Sequence, residues 1–117
     1  MPENRQFLRL SKSLMVSYLP VKQLFRGGTR TTNISTGGIC LPFFQRLELH
    51  SILDLEISLS TEERPIKATG EIVWIKTRND VKFPFEVGIK FIKIEASLRD
   101  KLEKFIAKEG NDEVNLI

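Results

Sequence analysis

The run Leu53-Asp54-Leu55-Glu56-Ile57-Ser58-Leu59 alternates apolar and polar side chains at every step. Successive side chains of an extended strand point to opposite faces of a sheet, so this spacing predicts a strand with one buried and one solvated face. The same alternation returns over Phe85–Phe91, and Ile66–Ile75 is a third β-rich run, which carries Trp74. The central part of the chain therefore predicts an antiparallel, mainly β fold.

Two further strands are expected before this region, over Leu14–Leu19 and Phe25–Asn33, with Pro20 and the pair Gly27-Gly28 marking turns or bulges. The period changes only near the C-terminus, where apolar residues recur at helical spacing, at Leu98, Leu102, Phe105 and Ile106. This spacing predicts one amphipathic helix over about 97–108 that closes the domain. We expect Gly110 to end the helix and residues 111–117 to form a flexible tail.

Length and composition indicate one compact domain. The 117 residues are enough for a single core, and no apolar run approaches the ~18 residues that a membrane span needs. No apolar stretch follows the N-terminal charges, so we expect a cytoplasmic protein without membrane insertion. Cys40 is the only cysteine, which excludes an internal disulfide, and its apolar neighbours indicate a buried thiol.

Charge and histidine content argue against several kinds of site. The formal net charge of +3 comes from 18 basic and 15 acidic residues that are interspersed, which disfavours a dedicated DNA-binding surface and is compatible with a small anionic ligand. The single histidine, His50, has no partner at metal-ligand spacing and cannot fill every role of a catalytic triad. We expect no metal, no cofactor and no catalytic residue.

Short polar residues and two glycines interrupt the apolar pattern in the run Thr32-Asn33-Ile34-Ser35-Thr36-Gly37-Gly38-Ile39-Cys40-Leu41. Upstream stand two arginines four residues apart, Arg5 and Arg9. A guanidinium offers a rigid fork of donors that fits the O6 and N7 acceptors of guanine or the oxygens of a phosphate. Asn can pair with a guanine edge and Ser can donate to a phosphate. The glycines would permit a positive φ and let backbone N–H groups approach an anion.

Each half of this pattern also has a structural explanation. Asn, Ser and Gly are common in turns between strands, and a second pair with the same spacing, Arg26 and Arg30, falls in or beside a predicted strand. The combination is more specific. Arg-x-x-x-Arg followed by Asn-x-Ser-x-x-Gly resembles the PilZ family of bacterial cyclic di-GMP binding domains, and the likeness runs from about Arg5 to Phe105.

The resemblance implies a six-stranded antiparallel β-barrel with a C-terminal helix. It places an arm over residues 1–10, which we expect to be mobile without ligand and ordered with it, ahead of a barrel domain over residues 11–110. By resemblance, the arginines hold guanine and phosphate, the asparagine reads a guanine edge, the serine contacts phosphate and the last glycine keeps the turn tight. The implied ligand-binding residues are Arg5, Arg9, Asn33, Ser35 and Gly38, with Arg30 and Gly37 as additional candidates.

The implied function is a cyclic di-GMP receptor that passes the signal to an unidentified effector protein and has no catalytic activity. Asn4 stands where many relatives place a further arginine, which favours one ligand per domain. Two alternatives stay open: a PilZ-like interaction module without a ligand, and a small-barrel binder of single-stranded nucleic acid that stacks bases on aromatic side chains. The acids on the polar face of Leu53–Leu59 argue against the second. The candidates for such stacking are Phe7, Phe43, Phe44, Trp74 and Phe91, and we expect most of these five in the core instead.

Overall fold

The computed structural model describes residues 10–61 and 63–114. Within these ranges the chain forms seven strands followed by one helix. The elements are β1 Met15–Pro20, β2 Gly27–Arg30, β3 Asn33–Ile34, β4 Gly38–Phe43, β5 Ile52–Ser58, β6 Ile66–Thr77, β7 Phe85–Ile94 and α1 Ala96–Val114. The predicted mainly β fold with a C-terminal helix is therefore confirmed.

All strands of the described chain belong to one curled antiparallel sheet, in the order β2-β1-β5-β6-β7-β4-β3. The two edge strands, β2 and β3, are separated along the chain only by Thr31 and Thr32. The N–H of Thr31 donates to the carbonyl of Leu14 over 2.8 Å, and the N–H of Thr32 donates to the carbonyl of Cys40 over 2.9 Å. At this corner the chain stops pairing with β1 and begins to pair with β4. The short segment over residues 27–34 therefore forms both edge strands of the sheet.

The corner explains why seven strands are found where six were expected. The prediction had one strand over Phe25–Asn33, whereas the structure begins β2 at Gly27 and divides the rest at the corner. Thr31 is buried there, and its Oγ1 accepts from the N–H of Leu14 over 2.9 Å and donates to the carbonyl of Lys12. Its side chain therefore satisfies backbone groups near the corner, as buried polar groups require.

The buried face of the sheet carries the apolar residues that the alternation predicted. Leu53, Leu55 and Ile57 of β5 are completely buried, and so is Leu102 of the helix. Leu98 and Phe105 pack against this core at the helix surface. The two-residue and helical periods thus identified the core-facing residues on both kinds of element.

The aromatic residues divide between core and surface. Phe43 and Phe91 are buried, and the thiol of Cys40 is buried as predicted. Phe44 and Trp74 are 56% and 37% exposed, so the core position expected for most of the five candidates holds for Phe43 and Phe91 and not for these two. Trp74 lies against Gly88 of the neighbouring strand, where a Cβ would approach the indole ring to 2.2 Å. Phe7 lies outside the described residues.

Helix α1 is longer than the predicted range of about 97–108. It begins at Ala96 and ends at Val114, so Gly110 does not end it and residues 111–114 belong to the helix rather than to a tail. Glycine inside a helix costs about 1 kcal/mol relative to alanine, which weakens a helix without forbidding it, and no proline follows to stop the chain. Residues 115–117 lie outside the described residues.

Among the residues that the structure describes, no helix has both the length and the hydrophobicity needed to cross a membrane.

An ion pair connects α1 to the start of the barrel. The ammonium of Lys12 donates to the Glu109 carboxylate and lies 5.6 Å from the ring centroid of Phe105. This hydrogen bond holds the pKa of the Glu109 carboxyl below its ordinary value. Helix α1 is thus tied electrostatically to the segment that precedes β1.

Candidate ligand-binding site

The polar motif forms a tight turn between β3 and β4. Asn33 lies in β3 opposite Cys40, and Gly38 is the first residue of β4. Ile34, which lies between Asn33 and Ser35, is completely buried, whereas Asn33 is half-buried. The structure therefore brings Asn33, Ser35 and Gly38 together at one edge of the sheet.

Ser35 organises this turn. Its N–H donates to the carbonyl of Gly38 over 2.9 Å, and its Oγ accepts from the N–H groups of Gly37 and Gly38 over 3.1 and 3.2 Å. The hydroxyl also donates to the Gly38 carbonyl over 3.4 Å. A serine hydroxyl has two acceptor lone pairs and one proton, so both lone pairs are used inside the turn. The residue is only 3% exposed.

The two glycines act differently from the expectation. No glycine of the described chain has a positive φ, so the expectation of a positive φ was wrong. The N–H groups of Gly37 and Gly38 donate to the Oγ of Ser35, and their approach to an anion stays a prediction. Gly38 is required for another reason: a Cβ there would lie 2.1 Å from the carbonyl oxygen of Ile89 in β7. Close approach of two backbones calls for glycine as firmly as a special conformation does.

Two neighbouring elements hold the turn from outside. The carbonyl of Gly37 accepts from the N–H of Phe91, at 2.9 Å. Arg99 of α1, which is half-buried, donates from Nη1 to the carbonyl of Thr36 over 3.4 Å. The sequence pattern did not predict Arg99 at the site. The only signal was its place next to Leu98, at the border of the helical stripe that packs on the barrel.

Arg30 and Arg26 are engaged elsewhere. Arg30 donates to Ser13, from Nε to the hydroxyl over 2.7 Å and from Nη2 to the carbonyl over 3.1 Å. Arg26 donates to the hydroxyl of Ser17 over 2.6 Å and to the carboxylate of Asp54 over 3.0 Å. Among the described residues, the contacts of Arg30 are thus to Ser13 and not to the motif turn.

The predicted arm joins the barrel beside the motif. Leu10 bridges to Ile34, donating over 2.8 Å and accepting over 2.9 Å, and its side chain is buried. The arm was expected to extend through residue 10, which was wrong for Leu10 because this apolar side chain is part of the core. Arg5 and Arg9 lie outside the described residues, as does the rest of the arm. Their role and the expected mobility of the arm stay predictions.

Acidic and histidine side chains do not assemble into a metal site within residues 10–61 and 63–114. The imidazole Nδ1 of His50 instead contacts a carboxylate oxygen of Glu71 at 2.7 Å. The expectation of no metal and no cofactor stays a prediction.

Comparison with known proteins identifies the family. A family model described as the PilZ domain matches residues 3–108. The chain belongs to the PilZ domain family. Among solved structures, the inhibitor of motility MotI/DgrA from Bacillus subtilis superimposes with a TM-score of 0.81 at 22% sequence identity, over 95% of this chain and 53% of that chain. No curated protein matches the sequence.

Two further PilZ-type structures share the fold. The PilZ domain of YcgR from Escherichia coli, solved with c-di-GMP, has a TM-score of 0.72 at 13% identity, over 98% of this chain and 100% of that chain. The MrkH–c-di-GMP complex of K. pneumonia has a TM-score of 0.77 at 12% identity, over 99% of this chain and 57% of that chain. The chain therefore spans about half the length of the MotI/DgrA and MrkH chains, and identities this low show a shared fold.

Proposed function

We propose that this PilZ domain is a cyclic di-GMP receptor that transmits the second-messenger signal to a partner protein. The observation that carries the proposal is the pairing of Leu10 with Ile34. Leu10 directly follows Arg9 in the sequence, and Ile34 lies between Asn33 and Ser35, so the fold joins the two halves of the motif. The c-di-GMP complexes of the related YcgR and MrkH folds support the same assignment.

In this proposal the motif residues divide the recognition between base and phosphate. The guanidinium groups of Arg5 and Arg9 bind guanine and phosphate, and the amide of Asn33 pairs with a guanine edge. The proton of Ser35 makes the longest contact of the turn, 3.4 Å to the Gly38 carbonyl, so it can turn to a phosphate oxygen. The lone pairs of the same hydroxyl meanwhile keep the turn closed.

Arg99 contributes a further positive charge close to the turn. Its guanidinium reaches the Thr36 carbonyl from α1, and a cyclic dinucleotide brings two negative charges to this edge of the sheet. Attraction between charges is stronger at a half-buried position than in bulk water. Arg99 therefore favours an anionic ligand and links it to the helix.

Single-stranded nucleic acid is a weaker candidate, and one reason is that Trp74 is a poor stacking platform. Trp74 rests against Gly88 and has the ammonium of Lys76 at 5.4 Å from its ring centroid. The carboxylates of Asp54 and Glu56 on β5 would also oppose a polyanion. We propose a binding module, and its lack of catalytic activity stays a prediction. Its cytoplasmic location and the identity of its effector stay predictions.

Calorimetric titration tests the proposal directly. Cyclic di-GMP should bind far more tightly than cyclic di-AMP, because adenine places an N6 donor where guanine offers the O6 acceptor to arginine. Replacing Arg9 by Ala should weaken binding roughly 5- to 150-fold, the equivalent of about 1–3 kcal/mol for a bidentate arginine contact. Arg30→Ala is the matched control, since Arg30 is held by Ser13, and should change affinity less than about 2-fold. Equal affinity for cyclic di-AMP, or no binding of cyclic di-GMP, would overturn the assignment.

A further inference from the structure

The turn between β1 and β2 exposes three apolar side chains. Residues 21–26, which we call the β1–β2 tip, include Val21, Leu24 and Phe25 at 60%, 87% and 82% exposure. Single apolar residues are ordinary on protein surfaces, but three strongly exposed ones within five residues indicate an interaction site. The fold does not account for this cluster, because none of the three side chains belongs to the core.

The backbone of the β1–β2 tip is held in place. The N–H of Val21 donates to the carbonyl of Ile52 over 3.0 Å, and the N–H of Gln23 donates to the carbonyl of Pro20 over 3.1 Å. Lys22 closes the turn with a φ of 79°, in the left-handed region that side chains rarely adopt. At the other end, Arg26 is fixed to Ser17 and Asp54. A turn held at both ends in this way loses less conformational entropy when it binds than a free one would.

The charge of this part of the chain has one sign. Between Asn4 and Leu47 the sequence has seven lysines and arginines and no acidic residue, so the mixing of charges expected from composition holds only from Glu48 onward. The nearby carboxylates of β5 are already paired: Asp54 and Glu56 lie 3.0 and 3.8 Å from Arg26. Lys22, by contrast, forms no ion pair with any described residue.

We propose that the β1–β2 tip docks into a partner protein that presents an apolar pocket bordered by carboxylates. Leu24 and Phe25 fill the pocket, and Lys22 faces the acidic border. This inference rests on the proposed function, which requires a partner protein. Strand β2 leads from the tip to the corner at Thr31, and β3 leads from the corner to the turn that contains Ser35. The tip and the candidate ligand site are therefore the two ends of one segment.

A membrane surface is the other chemistry that combines an apolar insertion with a lysine. The small number of available cations favours the protein, because anionic headgroups are bound by clusters of several lysines and arginines. Arg26 is held by Ser17 and Asp54, which leaves Lys22 as the one basic side chain of the tip without an ion pair to a described residue. The structure therefore favours a protein as the occupant.

Site-specific photocrosslinking, followed by titration of the isolated partner, tests the docking site. A photoreactive amino acid replaces Phe25, or for comparison the exposed Phe44, in cells of the organism that encodes the protein. The protein captured from position 25 alone is then purified and titrated by calorimetry. The double variant Leu24→Ser/Phe25→Ser should weaken its binding more than about 30-fold, as expected for two central anchors. Phe44→Ser should change the affinity less than about 2-fold, and Lys22→Glu should lower it several-fold with a loss of salt dependence.

Three results would overturn the docking site: no protein captured from position 25, equal affinity of the double variant, or binding to phosphatidylglycerol vesicles that the double variant abolishes. The last result would assign the tip to a membrane. Titration of the double variant with cyclic di-GMP separates this inference from the receptor proposal, because its affinity should stay within about 2-fold of the wild type. If the wild type binds the partner through the tip but does not bind cyclic di-GMP, the receptor proposal fails and the docking site stands.

Discussion

Gly38→Ala asks whether the motif glycine is required by strand packing. The φ of Gly38 is not positive, so alanine can adopt the backbone conformation without strain. Its Cβ would nevertheless lie 2.1 Å from the carbonyl oxygen of Ile89, 3.1 Å from the carbonyl carbon and 3.3 Å from the Cα of Lys90. All three atoms are backbone atoms of β7, so no rotation of a side chain can relieve the contact.

The cost follows from this geometry. Carbon and oxygen atoms approach to about 3.3 Å at closest, so β4 and β7 would have to separate locally by roughly 1 Å. Overpacking of this kind costs about 1–3 kcal/mol, and a weakened ladder hydrogen bond adds about 0.5–1.5 kcal/mol. We therefore expect Gly38→Ala to destabilise the protein by about 2–4 kcal/mol, or a Tm lower by roughly 8–16 °C at ~4 °C per kcal/mol.

Urea unfolding followed by tryptophan fluorescence measures this effect. Trp74 is the only tryptophan and lies against Gly88 of β7, so its emission reports on the sheet that the substitution disturbs. Gly28→Ala in β2 is the matched control, because the nearest atom to its Cβ would be the carbonyl oxygen of Val16 at 3.9 Å. The control should change stability by less than about 0.5 kcal/mol. Equal costs for the two substitutions would refute the packing argument.

Further predictions concern the ligand, its stoichiometry and pH. Arg99→Ala should weaken cyclic di-GMP binding roughly 5- to 30-fold in calorimetry, which corresponds to about 1–2 kcal/mol. The control Lys101→Ala removes a cation from the same helix and should leave the affinity nearly unchanged. Equal affinities for the two variants would exclude Arg99 from the site. Calorimetry should give one ligand per chain, because Asn4 is a neutral amide that cannot offset the charges of a second ligand. Asn4→Arg should raise the number of ligands per chain, and two ligands on the wild type would contradict the argument. The hydrogen bond from Lys12 lowers the pKa of Glu109, so this pair stabilises the fold fully above the unfolded pKa of glutamate, about 4.3, and progressively less as pH falls through the folded value. Urea unfolding should therefore show that Glu109→Gln is less stable than the wild type at pH 7, by a difference that shrinks as the pH falls below about 4.3. A difference in stability that stays constant down to pH 3 would contradict the argument.

Features that depend on local period were predictable from the sequence. The alternation over Leu53–Leu59 identified the buried side chains of β5 because a strand turns every second residue to the same face. The corner at Thr31 was not predictable in this way. The hydroxyl of Thr31 bonds to the N–H of Leu14 and to the carbonyl of Lys12. That arrangement exists only after the chain has folded so that β2 pairs with β1 and β3 pairs with β4.

The candidate site shows the same division. Asn33, Ser35 and Gly38 were found together because they are close in the sequence, where turn chemistry is visible. The physical reason for Gly38 was missed, since the carbonyl of Ile89 belongs to a strand far along the chain. Arg99 was missed for the same reason: only the packing of α1 on the barrel brings its guanidinium to Thr36.

The bridge between Leu10 and Ile34 lies beside the motif turn, so the proposed contacts of Arg5 and Arg9 with a ligand would form over a short tether. Consecutive Cα atoms are about 3.8 Å apart, and Arg9 precedes the bridged residue by one position and Arg5 by five. Tethers this short give effective concentrations in the millimolar range or above, independent of how much protein the cell contains. A ligand captured first by Asn33 would thus meet the guanidinium groups without a second diffusional step. The same arginines supplied on a separate peptide would need millimolar concentrations to replace them.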